Sequence, residues 1–428
     1  VGRGAALLPG LHDHHLHLLS LAAALDSVSC GPPDVANEDD LSRALGSASR
    51  PDGWIRGVGY HESVAGVLDR KRLDRLVSSR PARIQHRSGA LWMFNSRAME
   101  QAGLVHAKGV EGAERDERGE LTGRFFRLDE WLRSRIPALP PSLAAVGTLL
   151  ARAGVTGVCD ASASNGPEQM DLFRAALERG ELPQRLRLMG QTNLPHGDEL
   201  IGRGPVKILL DESAPPPLEE LIRRIAGARA AGRGVAIHCV TRGDLFLALA
   251  GLEESGAGRD ARIEHASVAP PEAISRLAAL GAAVVTQPGF VAERGDDYLR
   301  DVDANDLPFL YRLRSLDEAG VPLAGGTDAP YGSADPWSGM RSAVERRTRS
   351  GRALGPHESL TPERALDLFS TPLESPWGAP RRIEVGMHAD LCLLHLPWRE
   401  TRSQLSSELV AATFIGGRVV WRSPGLSG

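Results

Sequence analysis

The run His12-Asp13-His14-His15-Leu16-His17 is the densest concentration of potential ligands in the sequence. It follows an apolar stretch closed by Pro9-Gly10. Residues two apart on a strand face the same side, so His15 and His17 can point together. Two imidazoles on one face suit a divalent metal such as zinc. A histidine-rich surface turn would give the same letters. Further along, His238 and His265 each fall near the end of an apolar run, and Asp328 sits in Gly325-Gly326-Thr327-Asp328-Ala329-Pro330. A lone strand-end histidine is ordinarily packed or hydrogen-bonded. Three ligand-type residues at strand ends, together with a His-x-His pair, point to a metal.

Lys207 joins this set. Of the 50 basic residues only Lys71, Lys108 and Lys207 are lysine, so a lysine inside the apolar run Val206–Leu210 invites a chemical reason. Burial disfavours its ammonium form, and a neutral amine can react with CO2 to give a carbamate, an anionic ligand able to bridge two metals. A snorkelling lysine or a salt-bridge partner is the alternative.

These residues need a scaffold. From about residue 154 onward, short β-rich runs alternate with helical stretches. The strand candidates are 154–162, 186–191, 205–211, 234–240, 262–267, 282–288 and 321–330, each apolar and bounded by Gly or Pro. With 6–17 at the front they make eight. Strands alternating with helices pair in parallel, and eight units predict an α/β fold, a (β/α)8 TIM barrel, with a doubly wound open sheet as competitor. Function in such a barrel gathers at the C-terminal strand ends, where the ligand candidates fall.

We expect residues 1–375 to form the barrel, with a large insertion after strand 1 (about 20–150) capping its mouth. That insertion shows helical pieces at Asp39–Ala48 and Asp69–Ser79 and a polar segment near 108–123. Residues 376–428 should form a small β-sandwich-like appendage from 389–397 and 410–423. No internal repeat or low-complexity tract is visible.

Hydrophobic residues make up 42% and charged residues 24% of the 428, a soluble-globular balance that excludes a disordered or fibrous chain. The net charge of −4, without a basic run, gives no footprint for nucleic acid or membrane. The expected partner is a small-molecule substrate, and a homo-oligomer stays open. Cys30, Cys159, Cys239 and Cys392 form no Cys-x-x-Cys pair, which suits a reducing cytoplasm. No apolar run reaches the ~20 residues needed to span a bilayer, and the start lacks the pattern of a signal peptide.

Taken together, the chain resembles the amidohydrolase superfamily, in particular the amidohydrolase family 3 branch with N-substituted formamide deformylase-like and YtcJ-like proteins. The matching stretches run from LPGLHDHHLHL through FNSRAME, GVTGV, VKILLDES, IEHASVAPPEAISRLAALGAAVVTQP and GTDAPYGSADPWSGMRSAVERRT to LTPERALDLFSTP and VGMHADLCLLHLP. They span nearly the whole chain in the expected order. The resemblance implies a metal-dependent hydrolase acting on non-peptide C–N bonds. His15, His17 and Asp328 would bind the more buried ion and His238 and His265 a second. Carboxylated Lys207 would bridge the two in a binuclear centre; the cofactor expected is one or two divalent ions, zinc foremost. Water activated there would attack the carbonyl, with Asp328 as general base and then general acid.

The chain departs from the family at several places. His238-Cys239-Val240-Thr241-Arg242-Gly243-Asp244 is two residues longer than the usual segment. Glu212 replaces a common Gly, and Ala90 stands where relatives often place a histidine. Relatives also carry several strands before His-x-His, whereas fourteen residues precede His15 here. We therefore expect the N-terminal half of the sandwich to be missing from this sequence.

Substrate contacts would come from loops above the strands and from the insertion. Candidates are Tyr60, His61, His86, Trp92, Asn95, Arg124, Arg242 and Tyr331. Each has a structural reading beside it: Trp92 in a core, Asn95 as a helix cap, Arg242 in a surface ion pair. The same metal centre could instead serve a lactone or ester hydrolase, a deaminase, a C–C bond-cleaving enzyme, or a non-catalytic metal-binding relative.

Overall fold

Short runs of Val, Ile, Leu and Ala between glycines form the strands that carry the candidate ligands. In the computed structural model, which describes residues 5–48, 53–106, 109–128, 131–132, 135–136, 141–210 and 214–424, eight of these runs make one parallel sheet. They are β1 (Leu11–Leu16), β2 (Val155–Asp160), β3 (Arg185–Gly190) and β4 (Ile201–Ile208). The others are β5 (Val235–Cys239), β6 (Ala261–His265), β7 (Ala283–Thr286) and β8 (Leu323–Gly325). Each strand pairs with the next in chain order. Just beyond β8, the Asp328 N–H donates to the His15 carbonyl at 2.7 Å and the His17 N–H to the Ala329 carbonyl at 2.8 Å. These bonds bring the two ends of the sheet together, giving the nearly closed barrel expected of a (β/α)8 fold.

Helices cross between most strands. Leu218–Ala230 buries Leu221, Ile225 and Ala228, and Arg242–Glu254 buries Leu245, Ala248, Leu249 and Leu252, in each case one apolar stripe at helical spacing. Arg242–Glu254 begins in a reciprocal cap: Thr241 Oγ1 accepts from the Asp244 N–H and Asp244 accepts from the Thr241 N–H, both at 3.1 Å. The lengthened segment after His238 thus supplies the start of the helix that follows β5. Among the described residues, no helix separates β3 from β4.

The chain divides into two compact units, residues 1–18 with 142–428, and residues 19–141. Within the first, four antiparallel strands form a second sheet, in the order Ala6–Pro9, Leu391–Leu394, Val410–Ile415, Arg418–Arg422. Its last hairpin turns on Gly416 and Gly417, both at positive φ, as a two-residue turn of this hand demands. Residues 6–17, read from sequence as one strand, are two. Ala6–Pro9 pairs with Leu391–Leu394, and the chain passes into the barrel at Gly10, where a Cβ would lie 2.2 Å from the Thr156 side chain.

The second unit holds the helices expected from its sequence, Glu38–Gly46 and Arg70–Leu76, capped by Asn37 and Asp69. It also holds a six-stranded mixed sheet that the sequence reading missed. The strand order is Val28–Ser29, Ile55–Tyr60, Ala82–His86, Leu91–Phe94, Leu121–Phe126, Ala113–Arg115. Two apolar clusters fill this unit, one around Leu41, Leu73 and Ile84, the other around Phe94, Met99 and Phe125. Among the described residues, no helix is long and apolar enough to cross a membrane.

Candidate metal centre

Parallel pairing places the C-terminal ends of β1, β4, β5, β6 and β8 at one end of the barrel. His238 is the fourth residue of β5, opposite Glu264 in register, and Cys239 lies opposite His265, the last residue of β6. His15, His265 and Asp328 each offer a ligand atom, all within 4.8 Å of one another. Nε2 of His17 lies 3.2 Å and Nε2 of His15 3.5 Å from Asp328 Oδ1. The His238 ring meets His265 edge to face, with centroids 4.5 Å apart. His265, Ala266 and Asp328 hold φ of 70°, 48° and 56°, a left-handed region that non-glycine residues seldom occupy. Such strain clusters where a structure must aim particular side chains.

Burial sets the charge states. It lowers the pKa of His15, His238 and His265, that of His238 to about 3, with the charge of Lys207 or of a neighbouring imidazole adding to the effect. These rings are therefore uncharged near neutrality, with lone pairs free for coordination. Burial alone would raise the Asp328 carboxyl, but the imidazoles of His17, His15 and His265 hold it below the ordinary carboxylate range. Burial also lowers the pKa of Lys207, against the pull of Glu264. The Lys207 amine is buried and has no hydrogen-bond partner among the described residues. A divalent cation fits this set: neutral imidazoles, an ionised carboxylate and an amine left unsatisfied by the protein.

A ring of supporting residues escaped the sequence reading. Nδ1 of His15 bonds Glu264, a fully buried carboxylate that also accepts from the Arg262 guanidinium at 2.5 and 3.0 Å. Arg262 donates as well to the His14 carbonyl at 2.8 Å. Gln287 Oε1 holds Nδ1 of His265 at 2.6 Å, and Ser162 Oγ holds Nδ1 of His17 at 3.0 Å. Asp13 accepts from the His15 N–H and from Thr327, tying β1 to the loop after β8. Such bonds leave Nε2 of His15, His17 and His265 as the ring nitrogen available to a cation. The signal for Glu264 and Arg262 lay in the segment Arg-Ile-Glu-His, charged residues alternating inside an apolar strand.

Of the proposed substrate contacts, two lie in the barrel unit. Tyr331 stands beside His17, with ring centroids 5.6 Å apart. Arg242 pairs with Asp306, donates to the Asn305 carbonyl at 3.1 Å and lies over Phe309. The other six belong to the second unit. Tyr60 is buried and donates to the Gly66 carbonyl at 2.7 Å. His61 caps the short helix Glu62–Ala65, and His86 bonds Glu62 at 3.1 Å. The guanidiniums of Arg56 and Arg83 lie 5.5 and 5.3 Å from the Trp92 ring centroid. Asn95 caps Ser96–Gln101, and its amide serves backbone groups of Ala82, Ala98, Val77 and Arg80. Arg124 pairs with Glu114 at 3.1 Å. Glu212 lies outside the described residues.

A parallel barrel with imidazoles, a lysine and a carboxylate converging at its C-terminal end defines a class, the metal-dependent hydrolases built on this fold. The chain belongs to the amidohydrolase family, whose model matches residues 3–421, and is an enzyme of that type. It is 27% identical to the N-substituted formamide deformylase of Arthrobacter pascens, over 91% of this chain and 83% of that protein. It is 26% identical to the YtcJ protein of Bacillus subtilis (strain 168), over 98% and 89%. Among solved structures, an uncharacterised metal-dependent hydrolase from Pyrococcus horikoshii OT3 shares the fold with a TM-score of 0.69 at 22% identity, over 85% of this chain and 80% of that one.

Proposed function

We propose that this protein hydrolyses a non-peptide carbon–nitrogen bond, in an amide, N-acyl or N-formyl group, using one or two divalent metal ions at the barrel's C-terminal end. The observation that carries the reading is Lys207, a buried amine without a hydrogen-bond partner among the described residues, in the same strand-end set as neutral imidazoles and an ionised carboxylate. In its uncharged form the amine adds CO2, losing one proton and becoming a carbamate with two oxygens to offer. His15, His17 and Asp328 would hold one ion and His238 and His265 a second, with carboxylated Lys207 shared between them. Imidazole, carboxylate and carbamate ligands suit Zn2+. Bound there, a divalent ion polarises a carbonyl and brings the pKa of water to about 7.

The protein's own groups supply the remainder. Asp328 takes a proton from the attacking water and returns it to the departing nitrogen, base first and acid second. Glu264 and Gln287 fix the rings of His15 and His265, so the donor atoms need no reorganisation during turnover. Tyr331, whose ring lies beside His17, would meet the substrate. The deformylase activity named for the Arthrobacter relative supports an N-formyl or N-acyl substrate.

The test is metal content per chain in protein purified without chelator, beside Lys207→Ala, with turnover measured on a panel of N-formyl and N-acyl amines, esters and lactones. About two equivalents in the parent, falling sharply in Lys207→Ala, with Asp328→Asn folded but inactive, is the expected result. One equivalent that survives Lys207→Ala would remove the bridging role. No metal after reconstitution would remove the hydrolase reading, and turnover confined to esters or lactones would move it to that chemistry.

A further inference from the structure

The barrel has a second polar end. Opposite the metal residues, at the N-terminal ends of β3 to β6, lies a cavity of about 400 Å3. Its lining includes four arginines, Arg187, Arg203, Arg233 and Arg262, together with Asp260 and Glu374. Arg187 is the third residue of β3 and Arg203 the third of β4, and Leu188 pairs with Arg203 in register. Arg233 enters from the turn before β5, and Arg262 is the second residue of β6. The loop with Trp377 lines the cavity too.

These arginines are not equally occupied. Arg262 is committed to Glu264 and the His14 carbonyl, so it forms wall. Arg233, 6% exposed, donates to the carbonyls of Gly204, Gln191 and Pro205, which satisfies its N–H groups without neutralising its charge. Among the described residues, Arg203 has a buried Nε with no partner, and its Nη1 lies 3.4 Å from Nδ1 of His196. Arg187 has no hydrogen-bond or ion-pair partner among the described residues. Of the two carboxylates, Asp260 faces Arg229 at 3.6 Å. Burial, then the nearby charges of Arg203 and Arg187, lower the pKa of Arg233 to about 10. Like charges gathered in a partly desolvated cavity are costly unless an anion meets them.

A structural role accounts for Arg233 and Arg262 through their bonds. It does not account for Arg187 and Arg203, which among the described residues meet no carboxylate or carbonyl and, for Arg203, only the His196 ring at 3.4 Å. We infer that this cavity is a binding site for a small oxyanion, a phosphate-bearing or polycarboxylate molecule, gripped by Arg187 and Arg203 with Arg233 adding charge. The planar guanidinium fork matches both anion types in pairs of parallel hydrogen bonds. A volume near 400 Å3 admits a metabolite-sized ligand. The site is separate from the metal centre and stands whether or not the hydrolytic reading holds.

Isothermal titration of the metal-loaded full chain with inorganic phosphate, and separately with citrate, tests this. Saturable binding at one site per chain is expected, weakened at least tenfold in the double variant Arg187→Gln, Arg203→Gln. Preference for phosphate identifies a phosphate-bearing ligand, and preference for citrate a polycarboxylate. The double variant should keep the parent's metal content and melting temperature. If it melts early, Arg187→Gln alone carries the same test, because that guanidinium contacts no described partner. No saturable binding of either probe overturns the proposal. Binding that the variants retain in full also overturns it, by placing the anion at the metal centre.

Discussion

His15 shows how far a candidate metal ligand is held in place by residues outside the ligand set. Its Nδ1 is held by Glu264, which is held by Arg262, and all three are buried. Glu264→Gln keeps the shape, removes the charge and leaves the Arg262 guanidinium unbalanced. Supporting carboxylates of this kind typically contribute 10–100-fold to metal affinity. We therefore expect the variant to bind metal roughly tenfold or more weakly than the parent. Competition with a chelating dye would measure it, and an unchanged affinity would leave Glu264 as a buried ion-pair partner of Arg262 and nothing more. The ligand candidates themselves could be read from sequence, because His-x-His and strand-end residues reveal their orientation through spacing. Glu264, Arg262 and Gln287 could not be assigned, because their roles depend on which side chain faces them across the barrel, and spacing along one strand does not give that.

At the scale of elements, the centre depends on how closely β1 approaches the loop after β8. Gly326 lies against His15: a Cβ there would fall 2.5 Å from the His15 Cβ and 2.8 Å from its backbone nitrogen. Neither neighbour can swing aside, since His15 N–H bonds Asp13 and its carbonyl accepts from Asp328. Gly326→Ala is thus an overpacking change, of a kind that costs about 1–3 kcal/mol. We expect a lower melting temperature together with reduced metal occupancy, since the shift would act on the ligand itself. Retained metal with an unshifted melting curve would show that the seam can open. Most barrel strands were legible because their runs are largely buried and mostly apolar between turn residues, even where Arg262, Glu264 or the histidines of β1 interrupt them. The sheet of residues 19–141 was not. Ile55–Tyr60 is interrupted by Gly57 and Gly59, Ala82–His86 carries Arg83 and Gln85, and Val28–Ser29 is only two residues long. The split of 6–17 was equally hidden, because Ala6–Pro9 and Leu11–Leu16 form one apolar-to-histidine run whose pairing partners, Leu391–Leu394 and Val155–Asp160, lie far along the chain.

Across the whole molecule, buried neutral histidines tie stability to pH. His12 and His14 occupy the other face of β1, where Nδ1 of His12 bonds the Thr371 carbonyl and Nε2 of His14 bonds Thr371 Oγ1, each at 2.9 Å. Burial, followed by the charge of Arg381 on His12 and of Arg262 on His14, pushes both pKa values down, that of His14 to about 3. An unfolded histidine titrates near 6.5. Above that value neither state holds the proton, and these residues contribute no pH dependence. Below it the unfolded chain gains protons that the native chain refuses, so stability falls with pH until the native groups titrate, near 3 for His14. Between pH 7 and 5 each such histidine should cost about 1–2 kcal/mol. His15, His238 and His265 are shifted in the same direction, and metal loading should steepen the fall because bound ligands must stay deprotonated. Unfolding curves of chelator-treated protein from pH 8 to 5 should therefore show a continuous loss of stability below about 6.5, shallower in His14→Gln. A flat profile over that range would mean that these rings accept protons in the folded state, and that the strand carrying the candidate ligands is wetter than its packing indicates.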